Sequence, residues 1–114
     1  MKQELKQAFE TEMVMAKSLY RSGQLEAAFK HTETAHVLGQ RYVVPHVRSH
    51  WMMLKIGCRR HSAGEVLGQA VRIVLGALGS AVGVIPIGNT GGTDINMFKR
   101  LPIAPDLARM LEKD

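Results

Sequence analysis

The chain has 114 residues, of which 46% are hydrophobic, and its 15 Lys and Arg against 10 Asp and Glu give a net charge of +5. This length fits one domain with its own core, and the single cysteine excludes an internal disulfide and any paired-cysteine zinc or redox motif. The basic residues are scattered without interleaved aromatic side chains, which disfavours a nucleic-acid-binding surface. The charged amino terminus and the single cysteine favour a cytoplasmic protein.

The first part of the chain predicts two amphipathic helices joined by a tight turn. The first helix covers about residues 3 to 21, because apolar residues recur there at intervals of three and four. Gly23 ends this helix, and a second helix follows from Gln24 to Leu38. Gly39 is expected to be the C-terminal cap of the second helix. The stripe of the second helix that is expected to be buried contains Leu25, Ala28, Phe29, Thr32, Ala35 and His36.

Pro45 is expected to begin a third helix, which follows a short link and runs to about Arg60. Two neighbouring rows of side chains lie along this helix. The row that is expected to be buried contains Val47, Trp51, Leu54 and Cys58. The row that borders it contains His46, His50, Met53 and Gly57. Cys58 is therefore expected to be a buried, inert thiol.

A fourth helix is predicted after Ser62, because Ser62 and Glu65 have the spacing of a capping box. Its far half continues into the uncharged segment Ile73 to Ile87, which we expect to be a buried central helix or a subunit contact. Glycines and a proline interrupt this segment, and it is shorter than a membrane span requires. We therefore expect no membrane span.

The rest of the chain changes character after residue 86. Gly88 to Asn96 combines glycines with Asn and Asp, which predicts an ordered loop, and it lacks the lysine of a phosphate-binding Walker loop. Residues 97–104 are predicted to be an extended tail, and residues 105–113 a short closing helix. The predicted fold is all-α. It is a single domain with a bundle of four main helices in residues 1–85, a loop and tail in 86–104, and the closing helix in 105–113.

Two resemblances bear on these elements. Residues 16–40 include L-Y-R-S-G-Q-L-E-A-A-F and resemble one tetratricopeptide-type helical hairpin, although Glu12 stands where such repeats carry a large aromatic residue. No second copy follows, so a peptide-binding superhelix is not expected. With its H-T-E-T-A-H-V-L-G-Q and G-N-T-G-G stretches, the whole chain is similar to a family of short bacterial proteins of undefined function. That resemblance implies a bacterial source and an association with metal-resistance genes, and it assigns no catalytic residue.

Four of the five histidines lie within one twenty-residue window. Glu33 precedes His36 by three residues and His46 precedes His50 by four, so each pair shares a helix face. The short link makes the second and third helices antiparallel neighbours and brings the end of one to the start of the other. We therefore predict a metal site formed by His36, His46 and His50, with Glu33 as a ligand or as a residue that orients one. Zinc is the preferred ion, and nickel, cobalt and copper are the alternatives.

The two remaining histidines are predicted to have other roles. His31 is turned by about 140° from His36 around the second helix, so it is expected at the surface. His61 lies among arginines at the end of the third helix, where a cation complements the helix dipole.

A second function is compatible with the same sequence. The helical hairpin and the uncharged segment Ile73 to Ile87 could form an interaction module that binds a partner protein or a second copy of the chain, with the histidines incidental. A di-iron carboxylate bundle is disfavoured, because Glu33 and His36 supply only one of the two Glu-x-x-His motifs that such a site needs. No catalytic or cofactor-binding residues are predicted, and whether the protein is an enzyme stays open.

Overall fold

Two helical hairpins and a short closing helix make up the fold in a computed structural model, which describes residues 1–83, Gly91 and residues 101–114. This confirms the predicted all-α class with four main helices and a short C-terminal helix. The helices are α1 (Gln3–Arg21), α2 (Leu25–Gly39), α3 (Val43–Arg59), α4 (Ala63–Val82) and α5 (Pro105–Lys113).

The hairpin of α1 and α2 supplies most of the apolar core. Its turn needs a glycine, because Gly23 has φ of +81°, in the left-handed region. The buried apolar residues of α1 recur at intervals of three and four, as the periodicity predicts. They pack with α2, with the inner face of α3 and with Leu111 of α5. The core residues are Leu5, Phe9, Met13, Ala16, Ala28, Ala35, Val37, Leu38, Met52, Ile56 and Leu111.

The connection between α2 and α3 is tighter than the sequence predicts. Gly39 is the last residue of α2 and not a left-handed cap, and α3 begins at Val43, two residues before Pro45. A Cβ on Gly39 would lie 2.6 Å from Pro45 Cβ and 2.9 Å from the Phe9 ring. The glycine is therefore required because α1 and the start of α3 approach its backbone closely.

α3 buries a different row of side chains from the one predicted. Trp51 and Cys58 are exposed, whereas His46, His50 and Met53 are buried. The row with the histidines faces inward because α2 and α4 both pack on that side of α3. The expectation of a buried Cys58 is therefore wrong.

α4 is the element that differs most from its prediction. Ser62 Oγ accepts a hydrogen bond from the Glu65 backbone N–H at 3.3 Å, which confirms the predicted start of the helix. The prediction of a buried central helix is wrong for the described part of Ile73 to Ile87. The buried residues of α4 are all polar, and they are Gln69, Arg72 and Ser80. Its apolar residues include many that are exposed, namely Leu67, Val71, Val74, Leu75, Leu78 and Val82.

By length and composition, α4 could cross a membrane; among the described residues no other helix meets those two criteria. Taken alone this is weak evidence for a span, since a helix of a soluble fold can meet both. Here α4 packs along α3, and its Arg72 is 9% exposed and donates a hydrogen bond to the Gly91 carbonyl.

α5 closes the chain against α1. Its Leu111 joins the core, and Arg41 donates a hydrogen bond to the Leu111 carbonyl at 3.2 Å. The side chain of Asp114 accepts from the Lys2 backbone N–H at 2.5 Å and from the Tyr42 hydroxyl. The predicted loop from Gly88 to Asn96 lies outside the described residues except for Gly91, and so does the first part of the predicted tail.

Candidate metal centre

Three imidazoles from two helices meet in the interior between α2, α3 and α4. His36 comes from the last turn of α2, and His46 and His50 come from the first half of α3. The ring centroids lie 4.6 to 5.0 Å apart, and each residue is less than 5% exposed. Nε2 of His50 lies 3.1 Å from Nε2 of His36 and 3.2 Å from Nε2 of His46. The structure therefore brings together the three histidines that the sequence predicts as ligands.

The far side of the His46 ring is fixed by a serine of α4. His46 Nδ1 lies 2.5 Å from Ser80 Oγ, and the Ser80 hydroxyl donates its own hydrogen to the Gln40 carbonyl at 2.9 Å. Since that hydrogen is already used, Ser80 Oγ must accept from His46 Nδ1–H. The proton of the neutral His46 ring therefore stays on Nδ1, and Nε2 carries a lone pair.

The His50 ring is held in the same way by a glutamine of α4. His50 Nδ1 lies 2.6 Å from Gln69 Oε1, and Gln69 Nε2 donates to the Gly91 carbonyl at 2.8 Å. The bond to Gly91 fixes which end of the Gln69 amide is the oxygen, so Gln69 Oε1 accepts from His50 Nδ1–H. His50 Nε2 is then also a lone-pair acceptor. Arg72 donates to the same Gly91 carbonyl at 3.2 Å and holds that backbone in place.

These two tautomer assignments place Nε2 lone pairs of His46 and His50 at the centre of the group formed by the three histidines. The Nε2 lone pairs of His46 and His50 point at each other across 3.2 Å without a hydrogen between them. His36 can supply one hydrogen to one neighbour, so hydrogen bonds among the rings cannot satisfy all three Nε2 atoms. A cation at the centre would satisfy all three at once, and imidazoles oriented through a second hydrogen bond are the usual form of histidine ligand.

The spacing fits a transition ion. Nitrogen ligands at about 2.0 to 2.1 Å from a tetrahedral zinc lie about 3.3 Å from one another. The two measured Nε2 separations, 3.1 and 3.2 Å, are close to that value. The ligand atoms of the three residues all lie within 4.8 Å of one another. Three nitrogens at this spacing would occupy three corners of a tetrahedron and leave the fourth position for another ligand.

The environment also keeps two of these imidazoles neutral. Burial lowers the pKa of His46 from 6.5 to about 4. Burial likewise lowers the pKa of His50 to about 4, and the charges of His46 and Arg72 add to the effect, whereas the bond to Gln69 opposes it. Both rings are therefore uncharged at neutral pH, as an imidazole that binds a metal must be.

Two glycines let other backbone segments approach the rings. A Cβ on Gly76 of α4 would lie 3.0 Å from His46 Cε1 and 3.2 Å from its Nε2. A Cβ on Gly91 would lie 2.8 to 3.0 Å from the His36 ring, and Gly91 has φ of +85°. The absence of side chains at these positions lets the rings sit directly against the backbone.

The other residues singled out in the sequence lie elsewhere. Glu33 is not in the close group of ligands; it lines surface grooves that also contain Lys30. His31 Nδ1 lies 2.6 Å from Glu12 Oε2 in a half-exposed pair. His61 is exposed just beyond α3, where its φ is 56° and its N–H donates to the Cys58 carbonyl.

Sequence reasoning missed the residues that orient the site. Gln69 and Ser80 contact the histidine rings, and Gly76 makes room for one of them. One signal was available, because Gln69 and Ser80 fall with Gly76 on the same side of a largely apolar helix at 100° per residue. Polar residues in such a row indicate that the helix faces a polar group.

The chain belongs to the family described as "Protein of unknown function (DUF3703)", whose model matches residues 3–111. This confirms the resemblance to a family of undefined function. The expected bacterial source and the association with metal-resistance genes stay predictions. No curated protein matches the chain. No solved structure matches it either.

Proposed function

We propose that this member of the family is a cytoplasmic protein that binds a divalent transition ion through Nε2 of His36, His46 and His50. The observation that carries the proposal is the convergence of these atoms while Ser80 and Gln69 hold the Nδ1 protons of His46 and His50. This arrangement commits two lone pairs to one point inside the fold. A site built only to pack three rings would not need the tautomers of two of them to be fixed in this way.

Zinc is the ion that we prefer. Imidazole nitrogens suit zinc, copper and nickel, and zinc is the ion most often held by three histidines with an open fourth position. Within the described residues the close group offers three imidazole ligands, so the fourth position would take water or a ligand brought by the ion's donor or acceptor. Such a site supports sequestration, delivery or sensing of the ion.

The decisive experiment measures metal in protein that was purified without a histidine tag. Wild-type protein is loaded with zinc, separated from free ion and analysed for metal content, and its unfolding temperature is compared with and without zinc. The double variant His46→Gln, His50→Gln retains polar side chains of similar size but not the ligand set. His61→Asn is the control, because it removes a histidine outside the group and asparagine tolerates the left-handed backbone there.

We expect wild type and the His61→Asn variant to retain a stoichiometric amount of zinc, and zinc to raise their unfolding temperatures, because a ligand that binds only the folded state stabilises it. The double variant should lose both properties while it stays folded without metal. Absence of metal uptake and stabilisation with zinc, nickel, cobalt and copper in wild type would refute the proposal. An equal loss in the His61→Asn variant would refute the assignment of the site.

A second function, protein interaction, is favoured by one separate observation. The outward side of α4 exposes six Leu and Val residues, and a face of this kind on a soluble domain marks an interaction surface. It does not compete with the metal site, because Gln69 and Ser80 lie on the opposite side of the same helix.

A further inference from the structure

The exposed apolar residues of α4 form one continuous stripe, here called the α4 stripe. At 100° per residue they cluster around the side of the helix opposite to the buried polar residues. Successive members are four, three, one, three and four residues apart, which is the spacing of an apolar face that packs against another helix. The members are Leu67, Val71, Val74, Leu75, Leu78 and Val82, with exposed fractions between 42% and 74%.

We infer that a second copy of this chain covers the α4 stripe, with the two α4 helices antiparallel around a twofold axis. The inference rests on the interaction function proposed above and is independent of the metal site. The inference is supported by the spacing of the stripe residues, which is the same when the helix is read in either direction. Two antiparallel copies therefore present matching residues to each other.

Antiparallel pairing about the point between Val74 and Leu75 gives each residue a matched partner. Val74 then lies opposite Leu75 of the second copy, by the symmetry of the spacing. The outer pairs are Val71 with Leu78 and Leu67 with Val82. Every pair joins one valine to one leucine, so the summed side-chain volume of a pair is the same along the whole interface. A twofold interface requires this kind of self-complementary surface.

The extent of the stripe is also sufficient. From the exposed fractions and ordinary whole-residue areas, it presents roughly 600 Å² of surface, at the top of what a monomer leaves exposed and about three quarters of the ~800 Å² per partner of a standard interface. The uncovered stripe would be an aggregation hazard on a chain of this size.

Charge does not oppose a second copy at the α4 stripe. The chain has a net charge of +5, so two copies repel each other over most of their surfaces. The stripe itself has no charged residue, and the two charged residues of α4, Glu65 and Arg72, are half-buried and buried. Antiparallel helices also place opposite ends of their dipoles together. A second copy can therefore approach here without bringing like charges into contact.

The first test measures mass in solution. Sedimentation or light scattering of wild-type protein, with and without a chelator, should give about twice the chain mass of 12.6 kDa. Val74→Glu should weaken the dimer by at least tenfold in dissociation constant, because it buries two carboxylates beside the axis. Val14→Glu is a matched control: Val14 is 63% exposed on α1 and Val74 is 60% exposed on α4. The control should remain dimeric.

The second test determines the orientation of the helices. In a Cys58→Ser background, Leu67→Cys and Val82→Cys are made singly and together. In the antiparallel dimer, equivalent positions at the ends lie about 22 Å apart, being separated by 15 residues, so neither single variant forms a disulfide. The double variant should cross-link the two copies. Cross-linking of each single variant would show a parallel pair and overturn the inference.

The outcomes distinguish failure of the dimer from failure of the interaction function and from failure of the metal site. A monomeric wild type overturns the second copy as partner. If Val74→Glu then also lowers the unfolding temperature much more than Val14→Glu, the stripe is covered within the chain and the interaction function fails as well. Metal content is measured independently of mass, so neither result changes the test of the metal site.

Discussion

Replacement of Gly76 by alanine tests the metal site without removing a ligand. The added methyl group would lie 3.0 Å from His46 Cε1 and 3.2 Å from Nε2, the atom that faces the centre of the triad. Contacts this short force the ring to shift by a few tenths of an ångström. Metal–nitrogen distances tolerate only about 0.2 Å of error. We therefore expect Gly76→Ala to raise the dissociation constant for zinc about 10- to 100-fold, the range found when the support of a ligand is altered.

The stability of the metal-free protein should respond differently. Alanine is favoured over glycine in a helix interior by about 1 kcal/mol, whereas a ring pushed off its rotamer costs about 0.5 to 1.5 kcal/mol. These effects nearly cancel, so the Gly76→Ala protein should unfold within about 1 kcal/mol of wild type. The loss of zinc affinity would then be separate from any loss of fold.

Gly64→Ala is the matched control on the same helix, because a Cβ there meets no atom within 4 Å. Competition with a coloured zinc chelator gives the affinity of each variant, and urea unfolding without metal gives its stability. Gly64→Ala should bind zinc as wild type does and be slightly more stable. Unchanged zinc affinity in a folded Gly76→Ala protein, or an equal loss in Gly64→Ala, would show that the ion does not bind among these rings.

Ser80→Ala removes the acceptor that holds the His46 Nδ1 proton, so zinc affinity should fall about 10- to 100-fold in a chelator competition; an unchanged affinity would contradict the assigned tautomer. The pKa of His46 and of His50 is about 4 in the folded protein against an ordinary 6.5, so the unfolded chain binds more protons between these values. The stability of the metal-free protein should therefore be constant above pH 6.5 and fall by up to about 3 kcal/mol per ring as the pH drops towards 4, whereas a flat urea-unfolding profile over that range would contradict the burial of neutral rings. Gly39→Ala places a methyl group 2.6 Å from Pro45 Cβ and should lower the unfolding free energy measured in urea by about 1 to 3 kcal/mol; an unchanged value would contradict the close approach of α3 to Gly39.

The local parts of the fold followed from local sequence. α1 has the predicted bounds, the Ser62 hydroxyl caps α4, and Pro45 lies at the start of α3. These features depend on periodicity, capping and proline geometry within a few neighbouring residues. The approach of His36 to His46 and His50 was also predictable, because a short connection forces the end of α2 to meet the start of α3.

Glu33 marks the limit of the same reasoning. It shares a helix face with His36, but a three-residue spacing still turns it by about 60° around α2. The close group of ligands contains His36 and two histidines of α3. Glu33 is not part of it and lines surface grooves. Spacing on one helix shows which residues are neighbours, and the position of the facing helices decides which neighbour points at the site.

The sequence by itself determined the helices and placed three histidines where a hairpin could gather them. Only the tertiary structure decided which faces of α3 and α4 point inward. Periodicity reveals that a helix has an apolar face, but whether that face is covered depends on contacts with residues far away in the chain. In α4 the polar residues Gln69 and Ser80 turn inward because the histidines of α3 supply their hydrogen-bond partners, and the apolar stripe is left facing outward.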